Sequence, residues 1–253
     1  MSTATGIVFG DFSEEYDRYR PDYPSALWEK LGLGKGDRVV DLGAGTGRAS
    51  FALALCGCVV TAVEPDSQMA NVIRASSARG GAKIGVIEAT AERTGLGAES
   101  QNAVVAAQAY HWFEVPDSNR EAFRVLRPGG IFAVFANNRK VEGSAWLEAF
   151  EELIIHFNPA HSRDYRQFDV EERLGRGIRP SAIESAVFPH SFEVDIDGFV
   201  GLARTISYVR KAINPADLVR FEGELRKLLV EAHGDQPFSV PFETKLTVAK
   251  KES

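Results

Sequence analysis

Short apolar runs alternate along the chain with longer segments in which apolar residues recur every three or four positions. The short runs have the length and composition of buried strands, and the segments between them have the periodicity of amphipathic helices. This order predicts an α/β fold: a seven-stranded, mostly parallel sheet with helices on both faces and an antiparallel last strand. The predicted strands are residues 39–42, 59–63, 83–88, 103–109, 131–136, 187–194 and 242–248.

The first predicted strand leads into a glycine-rich turn, in which Asp41 is followed by Gly43, Gly45 and Gly47. Glycine tolerates positive φ and leaves no side chain between the main chain and a ligand that lies across the turn. The helix that begins near Arg48 directs unpaired N–H groups at the same place. The turn therefore predicts a nucleotide-binding site, and the alternative is a turn of this shape that binds nothing.

The spacing of the glycines in this turn distinguishes between two classes of nucleotide ligand. A dinucleotide fingerprint is G-x-G-x-x-G, whereas this chain has D-x-G-x-G-x-G. The carboxylate of Asp41 would repel a diphosphate, so a ligand with a positive centre and an amino group is the better match. S-adenosylmethionine is such a ligand. At these residues the chain resembles the class I S-adenosylmethionine-dependent methyltransferases, and the resemblance implies a Rossmann-like fold.

A second part of the resemblance lies in residues 16–24, which read Tyr-Asp-x-x-Arg-Pro-x-Tyr-Pro. This string is similar to the N-terminal helix of small-molecule methyltransferases of the type 11 group, which implies a lid helix at about 9–24 that covers the cofactor. The resemblance places Tyr16 and Arg20 near the methionine carboxylate, with Arg20 as its counter-ion. A surface helix whose aromatic residues only pack against the domain is the alternative.

The second predicted strand ends at Glu64, about twenty residues after the first glycine. A carboxylate at this position accepts hydrogen bonds from both ribose hydroxyls of a nucleoside. Beyond it, Met69 is expected either to cover the adenine edge or to belong to the core. The resemblance assigns adenine contacts to Ala91 and Glu92, although Glu92 as a charge at a helix start is an equal alternative.

The fourth predicted strand leads into the string Ala-Gln-Ala-Tyr-His-Trp-Phe at residues 107–113. The string resembles a signature of trans-aconitate methyltransferase-like small-molecule enzymes. Ligands of such sheets bind at the carboxyl ends of the strands. We therefore expect Gln108 or Ala109 to contact the methionine portion, and His111 to be the first candidate general base. A purely structural imidazole at position 111 is the alternative.

The acceptor side of the site is predicted from the second half of the chain. Residues 141–180 form a mixed, mostly helical insertion that we interpret as a cap over the cofactor edge. A helix is expected over residues 196–210, and the resemblance places Tyr208 toward the substrate. The predicted cofactor-binding residues are Tyr16, Arg20, Asp41, Gly43, Ala44, Gly45, Gly47, Glu64, Pro65, Met69, Ala91, Glu92, Gln108 and Ala109, and the predicted substrate-binding residues are His111, Trp112, Asn137, Tyr165 and Tyr208, with His111 and Tyr208 as candidate bases.

The composition bears on the number of domains and on whether the protein binds nucleic acid, a membrane or a metal. The chain has 253 residues, of which 44% are hydrophobic and 25% charged, which suits one α/β domain, residues 1–253, with a cap. The formal charge of -6 gives no general attraction for nucleic acid. No apolar run approaches the roughly 18 residues of a membrane span, so a cytoplasmic protein is expected. Cys56 and Cys58 form a poor zinc site, and no other cluster has metal-ligand spacing.

These patterns together predict methyl transfer from S-adenosylmethionine to a small-molecule acceptor, a natural product or metabolite. The reaction is an in-line displacement that leaves S-adenosylhomocysteine, and the acceptor atom is O, N or C. A carboxylate acceptor needs no base, whereas a phenol or amine needs one. The alternatives are an NAD-linked oxidoreductase and a non-catalytic S-adenosylmethionine-binding protein. We expect a monomer or homodimer.

Overall fold

The computed structural model describes residues 19–80, 82–161, 169–210 and 212–253. Within these ranges seven strands form one sheet in the order β3-β2-β1-β4-β5-β7-β6. β7 is antiparallel to both of its neighbours, and the other pairings are parallel. The predicted fold class is thereby confirmed. The strands are β1 (Arg38–Leu42), β2 (Val59–Val63), β3 (Ile84–Ile87), β4 (Gln101–Ala107), β5 (Leu126–Arg139), β6 (Ala182–Val194) and β7 (Phe238–Lys250).

Helices cover the sheet and its carboxyl edge. In the described residues they are α1 (Ser25–Leu31), α2 (Arg48–Leu55), α3 (Ser67–Gly80), α4 (Asp117–Val125), α5 (Ala145–Phe157), α6 (Val170–Gly175), α7 (Ile196–Arg204), α8 (Ser207–Arg210) and α9 (Pro215–His233). The continuous helix predicted over residues 196–210 is wrong, because the chain is interrupted between α7 and α8. There the Thr205 hydroxyl donates to the Leu202 carbonyl oxygen at 2.7 Å, and the backbone tightens into i→i−3 hydrogen bonds.

The central strands are buried on both faces, which explains their continuous apolar sequence. On one face α1, α2 and α3 contribute Leu27, Leu53 and Ile73, all buried. On the other face α4 contributes Ala122 and Val125. The two layers hold β1, β2 and β4 rigidly, and these strands position the candidate site at their carboxyl ends.

Three strands, β5, β6 and β7, are at least five residues longer than the sequence predicted. β5 continues to Arg139, and it pairs with β7 from Ile131↔Lys250 to Arg139↔Phe242. β6 pairs with β7 over the same stretch and beyond. The antiparallel ladder supplies hydrogen-bond partners for polar residues that local sequence would assign to loops. Asn137 therefore lies inside β5 rather than after it.

A third apolar cluster lies beyond the sheet edge and joins the helices of the second half of the chain. Phe150 of α5, Phe199 of α7 and Phe221 of α9 are fully buried in it, together with Phe242 of β7. These helices form a layer over the carboxyl end of β5 and the amino end of β7. None of the helices in the described ranges has the length and apolar character to cross a bilayer.

Candidate functional site

A cavity of about 1110 Å³ lies at the carboxyl edge of the sheet, between the glycine turn and the helical layer. The strand order reverses here, between β1 and β4, where open α/β sheets bind ligands. Fifteen of the predicted site residues line this one cavity, so the structure brings them together: Arg20, Gly43, Ala44, Gly45, Glu64, Pro65, Met69, Ala91, Glu92, Gln108, Ala109, His111, Trp112, Asn137 and Tyr208. Tyr16 and Tyr165 lie outside the described residues.

The glycine turn has the backbone conformation that its sequence predicted. Gly43 and Gly45 have φ values of 65° and 59°. A Cβ at Gly43 would lie 2.7 Å from the Cβ of Ala109, so the turn and the end of β4 approach too closely for any side chain. A Cβ at Gly45 would have no atom within 4 Å. The main chain at position 45 therefore borders open space in the cavity.

Glu64 joins the end of β2 to the glycine turn. Its Oε2 accepts a hydrogen bond of 2.7 Å from the Gly45 N–H, and its Oε1 accepts one of 2.9 Å from the Asp66 N–H. Burial raises the pKa of Glu64 above its ordinary value, and the two N–H donors oppose that rise. Each carboxylate oxygen has a second lone pair, so the group can accept further hydrogen bonds from a ligand in the cavity.

Asp41 and Gly47 do not line the cavity. Asp41 is fully buried beneath the turn, where its Oδ2 accepts a 2.7 Å hydrogen bond from the Ser50 hydroxyl. Its Oδ1 has no hydrogen-bond partner within the described ranges. Burial raises the pKa of Asp41 to about 7, and the nearby charge of Glu64 adds to the rise against the Ser50 hydrogen bond. Both residues shape the turn from below.

Gln108 is held in a strained backbone conformation at the end of β4. Its φ is 58°, the left-handed region that side-chain-bearing residues rarely adopt. The Gln108 amide donates to the Asn137 carbonyl oxygen at 2.9 Å, and its N–H donates to the Phe135 carbonyl oxygen. Such strain persists only when neighbouring contacts fix it, and it is concentrated at functional positions.

The His-Trp pair lies on a single 3₁₀ turn, Tyr110–Trp112, at the cavity wall. Tyr110 is buried and its hydroxyl donates to Asn119 Oδ1 at 3.0 Å, which anchors the turn. The rings of His111 and Trp112 lie 4.7 Å apart, and Trp112 is 51% exposed. An exposed tryptophan beside a cavity offers a flat surface to an incoming molecule.

The segment after residue 18 is hydrogen-bonded to Thr205 and to Asn137 at the mouth of the cavity. Arg20 donates from Nε to the Thr205 hydroxyl and from Nη2 to the Thr205 carbonyl oxygen, both at 3.1 Å. The Asn137 amide donates to the carbonyl oxygens of Pro21 and Asp22, while its Oδ1 accepts from the Thr244 hydroxyl at 2.5 Å. The Asn137 side chain thus fixes the position of this segment in addition to lining the cavity.

Arg139, Glu151, His161 and Tyr208 form a polar cluster in the cavity wall, and of these the sequence did not predict Arg139 and Glu151. Arg139 Nη2 donates to Glu151 Oε1 and to the Tyr208 hydroxyl oxygen, both at 2.8 Å. His161 Nε2 lies 3.1 Å from Glu151 Oε2, and the imidazole stacks on Tyr208 at 4.0 Å. Although burial opposes ionisation, Arg139 and His161 lower the pKa of Glu151 below its ordinary value. The available sequence signal was a carboxylate inside the apolar stripe of α5.

Comparison with known proteins shows which family part of the chain resembles. Residues 40–134 match a family model described as a methyltransferase domain, type 11. An uncharacterised methyltransferase of Mycobacterium tuberculosis is 38% identical over 148 residues, which are 58% of this chain and 59% of that protein. A ubiquinone biosynthesis O-methyltransferase of Methylocella silvestris is 28% identical over 145 residues, 57% of each chain. A proposed type II methyltransferase from Anaeromyxobacter dehalogenans has a solved structure with a TM-score of 0.69 and 26% identity, covering 92% of this chain and 98% of that one.

These matches agree with the site geometry. The similarity in sequence spans 59% of the length of the M. tuberculosis relative and includes the glycine turn. The similarity in structure extends over nearly the whole chain. Residues 40–134 are therefore similar to the methyltransferase domain of the type 11 family, and nearly the whole chain shares its fold with the solved methyltransferase structure from A. dehalogenans.

Proposed function

We propose that the protein transfers the methyl group of S-adenosylmethionine to a small-molecule acceptor and releases S-adenosylhomocysteine. The observation that carries the proposal is the junction of the glycine turn with Glu64. The Gly45 N–H, the Glu64 carboxylate and the open space at Gly45 meet at the wall of one cavity, at the switch point of the sheet.

The residues present fit this cofactor. We assign the ribose hydroxyls to Glu64, because a buried carboxylate held by two N–H donors retains acceptor capacity toward the cavity. Oδ1 of Asp41 has no hydrogen-bond partner in the described residues, and in its ionised form Asp41 adds negative potential beneath the turn, which favours a cationic ligand. We assign the backbone at Gly43, Ala44, Gly45, Gln108 and Ala109, with the Arg20 guanidinium, to the methionine portion.

The adenine end is assigned to the corner after β3. Pro65, Met69, Ala91 and Glu92 line the cavity there. Glu92 Oε1 accepts a 2.9 Å hydrogen bond from the Glu114 N–H, so this side chain also fixes the loop that follows the His-Trp pair. The contact links the proposed adenine end to the proposed acceptor end.

The protein's own contribution to the reaction is alignment. The cofactor, when bound, would supply a methyl group on a sulfonium, whose departing sulfur is a neutral thioether and therefore a good leaving group. Holding the acceptor atom at near-attack distance contributes much of the roughly 7 to 11 kcal/mol available from proximity. The Arg20–Tyr23 segment and the helical layer exclude water from the cavity.

The acceptor half is assigned to the wall formed by His111, Trp112, Asn137 and Tyr208. The cavity of about 1110 Å³ exceeds the roughly 300–1,000 Å³ of pockets for one drug-sized ligand, which supports two ligands bound together. His111 is the first candidate base and Tyr208 the second. We extend the proposal to a single domain, residues 1–253, whose cap includes residues 141–180.

Calorimetry with S-adenosylmethionine and S-adenosylhomocysteine tests the cofactor assignment, and a product assay for S-adenosylhomocysteine with candidate phenols, amines and carboxylic acids tests turnover. We expect micromolar binding of both nucleosides and product with at least one acceptor class. Binding without product across all acceptors supports a binding protein. Absence of binding to the folded protein overturns the proposal.

A further inference from the structure

Arg48 is the first residue of α2, directly after the glycine turn, and its side chain lines the cavity. Sequence patterns marked it only as a helix start. Its side chain is 22% exposed, and its Nη1 donates to Asp22 Oδ1 at 2.6 Å. The guanidinium therefore already binds a carboxylate at the mouth of the proposed cofactor site.

Arg48 and Arg20 line the same cavity but have different partners. Arg20 donates to the hydroxyl and carbonyl oxygens of Thr205. Arg48 contacts a charged carboxylate, the group that a planar guanidinium binds most strongly. Since Arg48 itself lines the cavity, its guanidinium is a matched partner for the carboxylate of a ligand bound there.

The charges around the turn orient a zwitterionic ligand. Glu64 lies at one side of the turn, and its carboxylate repels the carboxylate of a ligand. Arg48 supplies positive charge at the helix end of the same turn. A ligand with its ribose at Glu64 therefore places its carboxylate away from Glu64 and toward Arg48.

We propose that Arg48 binds the methionine carboxylate of the cofactor, and that Asp22 occupies the same guanidinium until the cofactor displaces it. The inference rests on the proposed function and adds a binding residue and an internal competitor to that site. The Asp22 side chain is 88% exposed, and exposed ion pairs contribute little to stability. Asp22 is therefore displaced at small cost.

Two probes separate the carboxylate from the rest of the cofactor: S-adenosylhomocysteine and 5′-methylthioadenosine, which lacks the amino-acid portion. Calorimetry with both is carried out on the wild type, Arg48→Met, Arg48→Lys and Asp22→Asn. We expect Arg48→Met to weaken the binding of S-adenosylhomocysteine about tenfold to a hundredfold, because a charge-assisted hydrogen bond is lost. The affinity for 5′-methylthioadenosine is expected to stay unchanged. Arg48→Lys retains the positive charge, so it is expected to lose less affinity for S-adenosylhomocysteine than Arg48→Met.

Asp22→Asn gives an expected change of opposite sign. Removal of the competitor strengthens S-adenosylhomocysteine binding about twofold to fivefold, with no effect on 5′-methylthioadenosine. Arg74→Met is the matched control, because Arg74 forms an exposed ion pair with Glu88 and does not line the cavity. This variant removes the same charge without touching the site.

Several outcomes overturn the inference. Unchanged S-adenosylhomocysteine affinity in Arg48→Met removes Arg48 from the site, and an equal loss for both probes shows a change in cavity shape instead. Weaker binding in Asp22→Asn contradicts competition, since it means that Asp22 supports the bound state. A wild type that binds neither probe overturns the proposed function itself, which distinguishes the two failures.

Discussion

Gly45 combines a left-handed backbone with open space on its cavity side. A side chain there projects into the region assigned to the cofactor. We therefore expect Gly45→Asp to abolish cofactor binding, because the new carboxylate both fills the cavity and repels the ligand's carboxylate. Calorimetry with S-adenosylhomocysteine measures the loss, which we expect to exceed a hundredfold.

Gly45→Asp both strains the backbone and fills the cavity, so a control is needed that strains the backbone alone. Gly32, at the end of α1, has φ 63° against 59° for Gly45, and a Cβ at Gly32 also meets nothing within 4 Å. Gly32→Asp thus carries a similar backbone cost far from the cavity, about 1 kcal/mol. Full cofactor affinity in Gly32→Asp with none in Gly45→Asp isolates the effect of the site. Equal affinity in the two variants removes Gly45 from the site.

Asp41 makes stability depend on pH. The pKa of this carboxyl rises from an ordinary 3.8 to about 7 because it is buried. Between these values the folded chain holds a proton that the unfolded chain has released, so stability falls as pH rises from about 4 to about 7. In Asp41→Asn this contribution is absent. Between about pH 4 and about pH 7 the free energy of unfolding of the wild type is expected to fall by up to about 4 kcal/mol relative to that of the variant.

Urea unfolding of the wild type and Asp41→Asn at several pH values between 4 and 8 measures this difference. Other titrating groups, Glu64 among them, are common to both proteins, so the change of the difference with pH reports Asp41. The constant cost of a buried amide does not affect that change. Two stability curves that remain parallel contradict the raised pKa of Asp41.

Among single residues, those whose role depends on the local backbone were predictable from sequence. The positive φ of Gly43, Gly45 and Gly47 follows from spacing alone, and so does the position of Glu64 at the end of β2. The burial of Asp41 beneath the turn was not predictable. Its partner Ser50 is nine residues away on α2, and the direction of a side chain relative to a cavity depends on the packing of several elements.

Between elements, the Arg139–Glu151 ion pair joins β5 to α5. The side chains are 12% and 6% exposed, and Arg139 also contacts Tyr208 on α8. Removing one partner leaves a buried uncompensated charge, which costs about 3–5 kcal/mol. We expect Arg139→Met to destabilise the fold by that amount, as measured by chemical denaturation.

Two controls define this prediction. Arg176→Met removes one partner of the exposed Arg176–Glu172 pair, and a change below about 1 kcal/mol is expected. The double variant Arg139→Met with Glu151→Leu removes both buried charges, so it is expected to recover much of the loss. If Arg139→Met is no less stable than Arg176→Met, the ion pair does not hold α5 to the sheet.

The elements that sequence reasoning missed are those that depend on distant contacts. The break between α7 and α8 involves Thr205, which Arg20 contacts across 185 residues of sequence. The extension of β5 through Asn137 depends on pairing with β7, since the local sequence is polar. By contrast, β1, β2 and β4 are buried on both faces, and their apolar runs alone located them.

For the whole molecule, the proposed ligand predicts a specific gain in stability. A ligand that binds only the folded chain stabilises it by about 2.7 kcal/mol at a hundred times its Kd. For a chain of this length, that amounts to a rise in Tm of roughly 5–10 °C. We expect S-adenosylhomocysteine to produce this rise in a thermal melt, and NAD to produce none, because a diphosphate at the glycine turn faces the carboxylate of Glu64. Gly45→Asp, melted with and without S-adenosylhomocysteine, is expected to show no rise, which ties the effect to the cavity. A rise with NAD alone contradicts both the cofactor assignment and the charge argument on which it rests.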